Sequence, residues 1–227
     1  GASIDIGNIA PFTGLTTGNY NRIYDVIFDL PQTLEMFRRR MRTVLDEQVL
    51  PPGSPANSSP VEQKILAWRD RIIPDAALDR AKWGWPGVGG QNNLPPGRSV
   101  TDAVNDLLQQ FFYPRRQHLY GKHSVTNTAL AIGTSKTQNA GFPLPQPADS
   151  SVFVTSVEFN PASANQEHEF ISLTNPAAVA IDISGWKLDG AVDFTFVSGT
   201  VIPANSVFYV SPNVREFRSR TASPHGR

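Results

Sequence analysis

"IDISGWKLDGAVDFTF", residues 181–196, gathers three carboxylates, Asp182, Asp189 and Asp193, around one tryptophan and two glycines. Such a set is either a metal or acid–base site or the wall of a β-structure. Ile181, Ile183, Trp186 and Leu188 carry the apolar content of a buried strand, with an irregularity at Ser184-Gly185, and "LDGAVD" reads as a turn in which Asp189 precedes a glycine. Structure is therefore the preferred reading. A calcium site built from Asp189, Asp193 and loop carbonyls is the weaker alternative, because calcium accepts oxygen ligands in loose geometry but usually draws on more acidic groups.

Composition bounds the rest. With 227 residues, 40% of them hydrophobic, the chain can fill one large or two small cores. Twenty Lys plus Arg balance twenty Asp plus Glu, so no net field draws the protein to nucleic acid, an anionic membrane or an acidic substrate. The lack of cysteine excludes disulfides, thiolate zinc sites and thiol catalysis but leaves the compartment open. No apolar run approaches the roughly 20 residues that span a bilayer. The opening "GASIDIGN" lacks the basic and apolar regions of a signal peptide, so any export signal is expected to have been removed or never present.

Working outward, two periodicities divide the chain. From Tyr20 to Tyr120 the apolar spacing is helical. "PQTLEMFRRRMRTVLDEQVL" places Leu34, Phe37, Met41, Val44 and Leu45 on one face, with Arg38, Arg39 and Arg42 elsewhere and Pro31 suited to the first turn. "PVEQKILAWRDRIIPDAALDRAKW" spaces Val61, Ile65, Trp68 and Ile72 for a second helix, which Pro74 should end or kink. "SVTDAVNDLLQQFFYPRRQHLY" opens with a capping box of Ser99 and Asp102 and is predicted to turn Val104, Leu107, Leu108, Phe111 and Phe112 inward. "PPGSPANSS" and "GWPGVGGQNNLPPG" read as loops.

Beyond Lys122 the character changes. "GTSKTQNAGFPLPQPADSS", residues 133–151, is small, polar and proline-rich, as an extended connector would be. From there the period becomes two: "VFVTSVEFN" alternates Phe153, Val157 and Phe159 against Val154, Ser156 and Glu158, "EFISLTNP" continues the style, and "VIPANSVFYVSP" sets two apolar runs around a turn. Short strands punctuated by turn residues predict an all-β sandwich. The expected fold is α+β in separate domains: a helical segment over 1–122, a linker over 123–150 and an immunoglobulin-like β-sandwich over 151–227. Its expected core is Phe153, Val157, Phe170, Ile171, Ile183, Trp186, Leu188, Phe194 and Phe196.

The β half resembles the first part of a lamin-tail domain, the immunoglobulin-like sandwich of nuclear lamins and of many secreted bacterial proteins. The marks are a strand ending in Asn160-Pro161, then Glu169-Phe170-Ile171, Asn175-Pro176, Asp182-Ile183-Ser184-Gly185-Trp186-Lys187-Leu188, Phe194-Thr195-Phe196 and Gly199-Thr200-Val201-Ile202-Pro203. Ser172 departs from the acidic residue usual after the Phe-Ile pair. The resemblance implies that Trp186 packs between sheets, that Gly185 permits a bend and that the nearby aspartate serves turn chemistry. It also implies a further set of strands where this sequence has "NVREFRSRTASPHGR", so the sandwich reads as incomplete. The partner expected to complete it is another polypeptide or a second copy.

The helical half, over about residues 20–122, is similar to the C-terminal helical part of the CotH kinase-like family, through "YDVIFDLPQTLEMFRRRMRTVLDEQVLPP", "ILAWRDRIIPDAALDRAKWG" and "AVNDLLQQFFYPRRQHLYG". That family implies ATP and magnesium in a full-length parent, and bacterial members often carry a lamin-tail domain next. Its nucleotide lobe and acidic metal motif have no counterpart in these residues, Asp5 included, so no catalytic residue and no cofactor are assigned to this chain.

The remaining candidates are weaker. His118 and His123 stand five apart, which is not the spacing of a helical zinc pair, and read as helix-end histidines. His168 sits in a solvated turn between Glu167 and Glu169, His225 lies in the tail, and no serine occupies a nucleophile elbow. "GVGG" at 87–90 lacks the strand and helix of a phosphate loop. Arg38, Arg39, Arg42, Arg115, Arg116, Arg218 and Arg220 are candidate anion contacts, although the first three share a helix with Glu35 and Asp46 and fit a solvated or interdomain salt-bridging face better. The expected function is a non-catalytic, protein-binding portion of a larger bacterial secreted or surface protein. The alternatives are the C-terminal part of an assembled CotH-like phosphotransferase, and phosphate or nucleic-acid binding through the arginines, against which the balanced charge counts.

Overall fold

Pro31 opens the first helix, α1 (Pro31–Val44), where its missing N–H leaves no hydrogen bond unmade. A π-helical turn over Leu45–Val49 follows directly. The computed structural model describes residues 28–83, 99–133 and 137–224. Asp5, the "GVGG" stretch at 87–90 and His225 lie outside them. The chain divides into two units, residues 1–22 with 41–144 and residues 23–40 with 145–227. The N-terminal region is helical and the C-terminal region is a small antiparallel β structure, consistent with the expected α+β, immunoglobulin-like fold class.

In the helical unit, α2 (Pro60–Trp83) starts on a buried staple: Glu62 is fully buried and its carboxylate accepts the N–H groups of Asn57 (2.7 Å) and Ser59 (3.1 Å). The helix continues through Pro74, which was expected to end or kink it. Pro74 withholds one hydrogen bond from the Asp70 carbonyl, and residues 70–75 are exposed, so water can serve that carbonyl instead. Ser99 and Asp102 form the expected capping box at α3 (Val100–Asp106), with Ser99 Oγ accepting from Asp102 N–H at 3.1 Å and Asp102 Oδ2 accepting from Ser99 N–H at 2.9 Å. A π-helical stretch, Leu107–Phe112, then leads into α4 (Tyr113–Lys122). The wider turn shifts the helical phase, so Leu108 and Phe112 are buried while Leu107, predicted inward, is exposed.

Residues 123–144 differ from an extended linker. Asn139 is fully buried and donates to the carbonyls of Ser124 (2.6 Å) and Asn127 (3.0 Å) while accepting from Gly141 N–H (2.8 Å). Isolated bridges join Ser124 to Phe142 and Ile132 to Asn139, and Phe142 and Ala140 are buried. Here small polar residues satisfy backbone groups internally instead of through solvent, which composition alone does not reveal.

The C-terminal unit holds a three-stranded antiparallel sheet in the order β1 (Phe153–Glu158), β2 (Phe170–Asn175), β7 (Ser206–Val210). Two short pairs complete it: β3 (Ile181–Asp182) with β6 (Val201–Ile202), and β4 (Lys187–Leu188) with β5 (Phe194–Thr195). Its core is Leu173, Ile181, Ile183, Phe196 and Ile202, with Ile171, Leu188 and Phe208 packed against it. A short helix, α5 (Val214–Arg218), is capped by Asn213, whose Oδ1 accepts from Arg215 N–H (3.0 Å) and Glu216 N–H (3.3 Å). Phe217 of α5 is buried against Phe170 and Tyr209.

Four of the nine predicted core residues are exposed instead: Phe153, Val157, Trp186 and Phe194. Gly185 adopts φ +75°, a left-handed conformation that glycine enters without steric cost, and Trp186 N–H bonds back to the Ile183 carbonyl at 3.0 Å. This turn buries Ile183 and leaves Trp186 39% exposed. Phe153 and Val157 lie on a strand with apolar residues on both faces, so alternation does not tell which side is covered.

Candidate functional site

The three carboxylates of residues 181–196 have separate fates. Asp182 is buried on β3, where its Oδ1 accepts from Ser184 N–H (3.0 Å) and Ser184 Oγ–H (2.5 Å) and its Oδ2 accepts from Arg40 Nη1 (3.1 Å). Arg40 also donates through Nη1 to Ser184 Oγ (3.3 Å) and through Nη2 to Ser198 Oγ (2.7 Å), and Ser184 Oγ accepts from Gly199 N–H (2.9 Å). Gln146 holds the backbone of Asp182, donating to its carbonyl (3.0 Å) and accepting its N–H (2.8 Å). The aspartate therefore joins the turn after β3, the loop before β6 and the N-terminal ten residues of α1 into one network. Asp189 and Asp193 lie exposed near the β4–β5 hairpin. Among the described residues no group of three or more His, Cys, Asp or Glu is placed to hold a metal ion.

Of the solvated or salt-bridging face, burial corrects the solvated alternative for Arg39 and Arg42. Arg39 is 3% exposed and its Nε donates to the Ala180 carbonyl at 2.9 Å. Arg42, also buried, pairs with Asp46 (2.9 Å), donates to the Pro143 carbonyl (3.0 Å) and lies over the Tyr120 ring at 5.0 Å. Burial first, and then the hydrogen bond it donates to Asp46, pushes the Tyr120 hydroxyl above its ordinary value. Arg116 is buried 3.7 Å from Glu62 and over the Tyr113 ring at 5.0 Å. Arg220 donates to the His168 carbonyl and stacks over Phe170 at 5.0 Å. Arg38 and Arg115 are partly buried and Arg218 is exposed. Arg39, Arg42 and Arg220 are thus internal fasteners, each donating to a backbone carbonyl while its stem covers apolar surface, and buried Arg116 pairs with Glu62 instead. Sequence gave no signal for this: it required knowing where unpaired carbonyls would lie.

Asn175 escaped the sequence reading altogether as a working residue. Fully buried at the end of β2, it donates through Nδ2 to the carbonyls of Val179 (2.9 Å), Ile202 (3.1 Å) and Pro203 (2.9 Å), and its Oδ1 accepts from Ala177 N–H (2.9 Å). Its place before Pro176 was the available clue.

β1 and β7 are the two edge strands of the three-stranded sheet, and β1 carries the more exposed apolar side chains. Among the described residues it pairs on one side only, with β2, and its register slips between Val154 and Ser156. Phe153 and Val154 are each 55% exposed, Val157 53% and the following Phe159 77%. Beside the start of the strand lies an open, mainly apolar cavity of about 290 Å³, lined by Arg39, Gln146, Phe153, Pro176, Val179 and Ile181 among others. This surface offers backbone hydrogen-bonding groups and apolar side chains, the chemistry of strand docking.

No helix of the described residues is long and apolar enough to cross a membrane. No curated protein and no solved structure matches the chain, and no match to the CotH family was found over the helical half. The family model described as Lamin Tail Domain matches residues 145–225, so the chain is similar to that family over this span, which includes β1 and Asp182 but not Arg40.

Proposed function

We propose that the protein is a non-catalytic structural and protein-interaction module of a larger protein, and that the edge of β1 left unpaired among the described residues is where it joins a second copy of the chain. A lamin-tail-like domain is a module of the structural or protein-binding kind, and the exposed β1 edge is the observation that carries the reading further. A strand left unpaired on one side presents N–H and C=O groups that another strand satisfies, and burying Phe153, Val157 and Phe159 there would add a hydrophobic contribution. The placement on the outside of a bacterial cell rests on the resemblance to secreted bacterial proteins.

Sedimentation velocity over a concentration series, paired with hydrogen exchange, tests this. The expected result is concentration-dependent association with growing protection of the Phe153–Glu158 amides. Val157→Lys and Phe159→Lys, both at exposed positions, should abolish association while leaving the circular dichroism unchanged. A chain that stays monomeric, with β1 amides exchanging at the same rate at every concentration, refutes self-pairing.

A further inference from the structure

The two histidines at the end of α4 are placed unlike surface helix-end histidines. His123 is 1% exposed, its ring lies 5.0 Å from that of His118 at 70°, and it stacks near Phe142 at 6.1 Å. Its Nδ1 accepts the Ala140 N–H at 3.1 Å. That bond requires Nδ1 to be unprotonated, so the neutral ring carries its proton on Nε2. The Nε2 atoms of both histidines are buried without a hydrogen-bond partner. The neighbouring His123 carbonyl accepts Phe142 N–H (2.7 Å), and Val125 N–H bonds to the Phe142 carbonyl (2.8 Å), so the same residue anchors the returning segment through both ring and backbone.

We propose that His118 and His123 form an acid-sensitive latch, which fastens residues 137–142 to the end of α4 near neutral pH and releases them on acidification. A second proton on His123 must go to Nδ1, where it would face the Ala140 N–H and remove that hydrogen bond. The charges acting on the pair are positive: Arg115 and Lys122 from α4 bear on both rings. Among the described residues of the returning segment, 124–133 and 137–144 contain no ionisable side chain. Nothing there compensates an imidazolium.

The sign follows from linkage. Burial first, then the charges of His118, Lys122 and Arg115, lowers His123 from about 6.5 to about 4, and burial followed by Arg115 and Lys122 lowers His118 as well. A histidine whose folded value is depressed contributes stability that is complete above the unfolded value and is lost as pH falls towards the folded one. Between pH 6.5 and 4 the open segment binds a proton that the closed one refuses. The opening equilibrium should rise close to tenfold per pH unit, to about 300-fold for His123 alone.

Native-state hydrogen exchange of the Val125, Ala140 and Phe142 amides, corrected for intrinsic rates across pH 4–7, reads this opening. The expected result is a fall in protection of roughly 100-fold or more on acidification. Leu173 and Val210 amides in the C-terminal sheet should hold theirs. His123→Asn, whose Oδ1 replaces Nδ1 as acceptor and does not titrate, should flatten most of the profile. Should that variant misfold, the histidine ring signals of the unaltered protein decide: His123 titrating near 6.5 overturns the latch, and titration well below it supports it. Protection that is independent of pH, or an unchanged profile in His123→Asn, also overturns it.

Discussion

Replacing Asp182 with alanine separates a structural carboxylate from a metal ligand most sharply. The change removes an acceptor whose side chain is 2% exposed and which takes up Ser184 N–H, Ser184 Oγ–H and Arg40 Nη1. Hydrogen bonds to a charged group contribute about 1.5–3 kcal/mol each, and breaking a buried ion pair costs about 3–5 kcal/mol. Arg40 retains 24% exposure, so water recovers part of its solvation, and Ser184 keeps the bond it accepts from Gly199. The expected destabilisation is therefore about 3 kcal/mol, at the lower end of the buried-pair range. Asp189→Ala and Asp193→Ala, at exposed positions, should stay within about 0.5 kcal/mol. Urea unfolding followed by far-ultraviolet circular dichroism measures all three, and a cycle with Arg40→Ala should return a coupling of about 1 kcal/mol or more between Arg40 and Asp182. If Asp189→Ala or Asp193→Ala costs as much as Asp182→Ala, or if calcium raises the unfolding midpoint of the unaltered protein and not of those two variants, the assignment of Asp182 as the structural member fails.

The same measurements reach two other buried polar groups. Asn175→Ala leaves the carbonyls of Val179, Ile202 and Pro203 and the Ala177 N–H without their partner and should cost about 2–4 kcal/mol; a loss under about 1 kcal/mol would show that water replaces the side chain. Glu62→Gln keeps the shape of the staple but puts an amide beside Arg116, so it should destabilise the helical unit by about 2–3 kcal/mol while sparing amide protection in β2 and β7. Burial pushes the Glu62 carboxyl up, but the hydrogen bonds from Ser59, Asn57 and Tyr113 together outweigh it and hold the group below its ordinary value. Its contribution should thus be present above the unfolded carboxylate value and fade as pH falls towards the folded one, a loss that Glu62→Gln should not show.

How legible each feature was depended on the range of the interactions that decide it. The capping box at Ser99 and Asp102 was plain because its donors and acceptors lie within one turn. The change from helical to alternating periodicity separated the helical from the β region for the same reason. Pro74 misled because a local rule about the missing N–H says nothing of whether the Asp70 carbonyl lies in water. The polar run at 133–151 misled in the opposite sense over its described residues 137–142: Asn139 and Ser124 meet only when the chain returns on itself.

Taken alone, then, the amino-acid order determined the two classes of element, the start of the third helix, the turn at Gly185 and the lamin-tail-like pattern of the β half. Each follows from contacts between near neighbours or from the rhythm of apolar residues. Only the tertiary structure decided that Arg39, Arg42, Arg116 and Arg220 face inward, that Asp182 and not Asp189 or Asp193 holds the fold, and that β1 pairs along one edge only among the described residues. The physical reason is that a charged side chain is buried wherever distant backbone supplies enough hydrogen-bonding partners to offset its lost hydration, and the position of that backbone is a property of the folded chain.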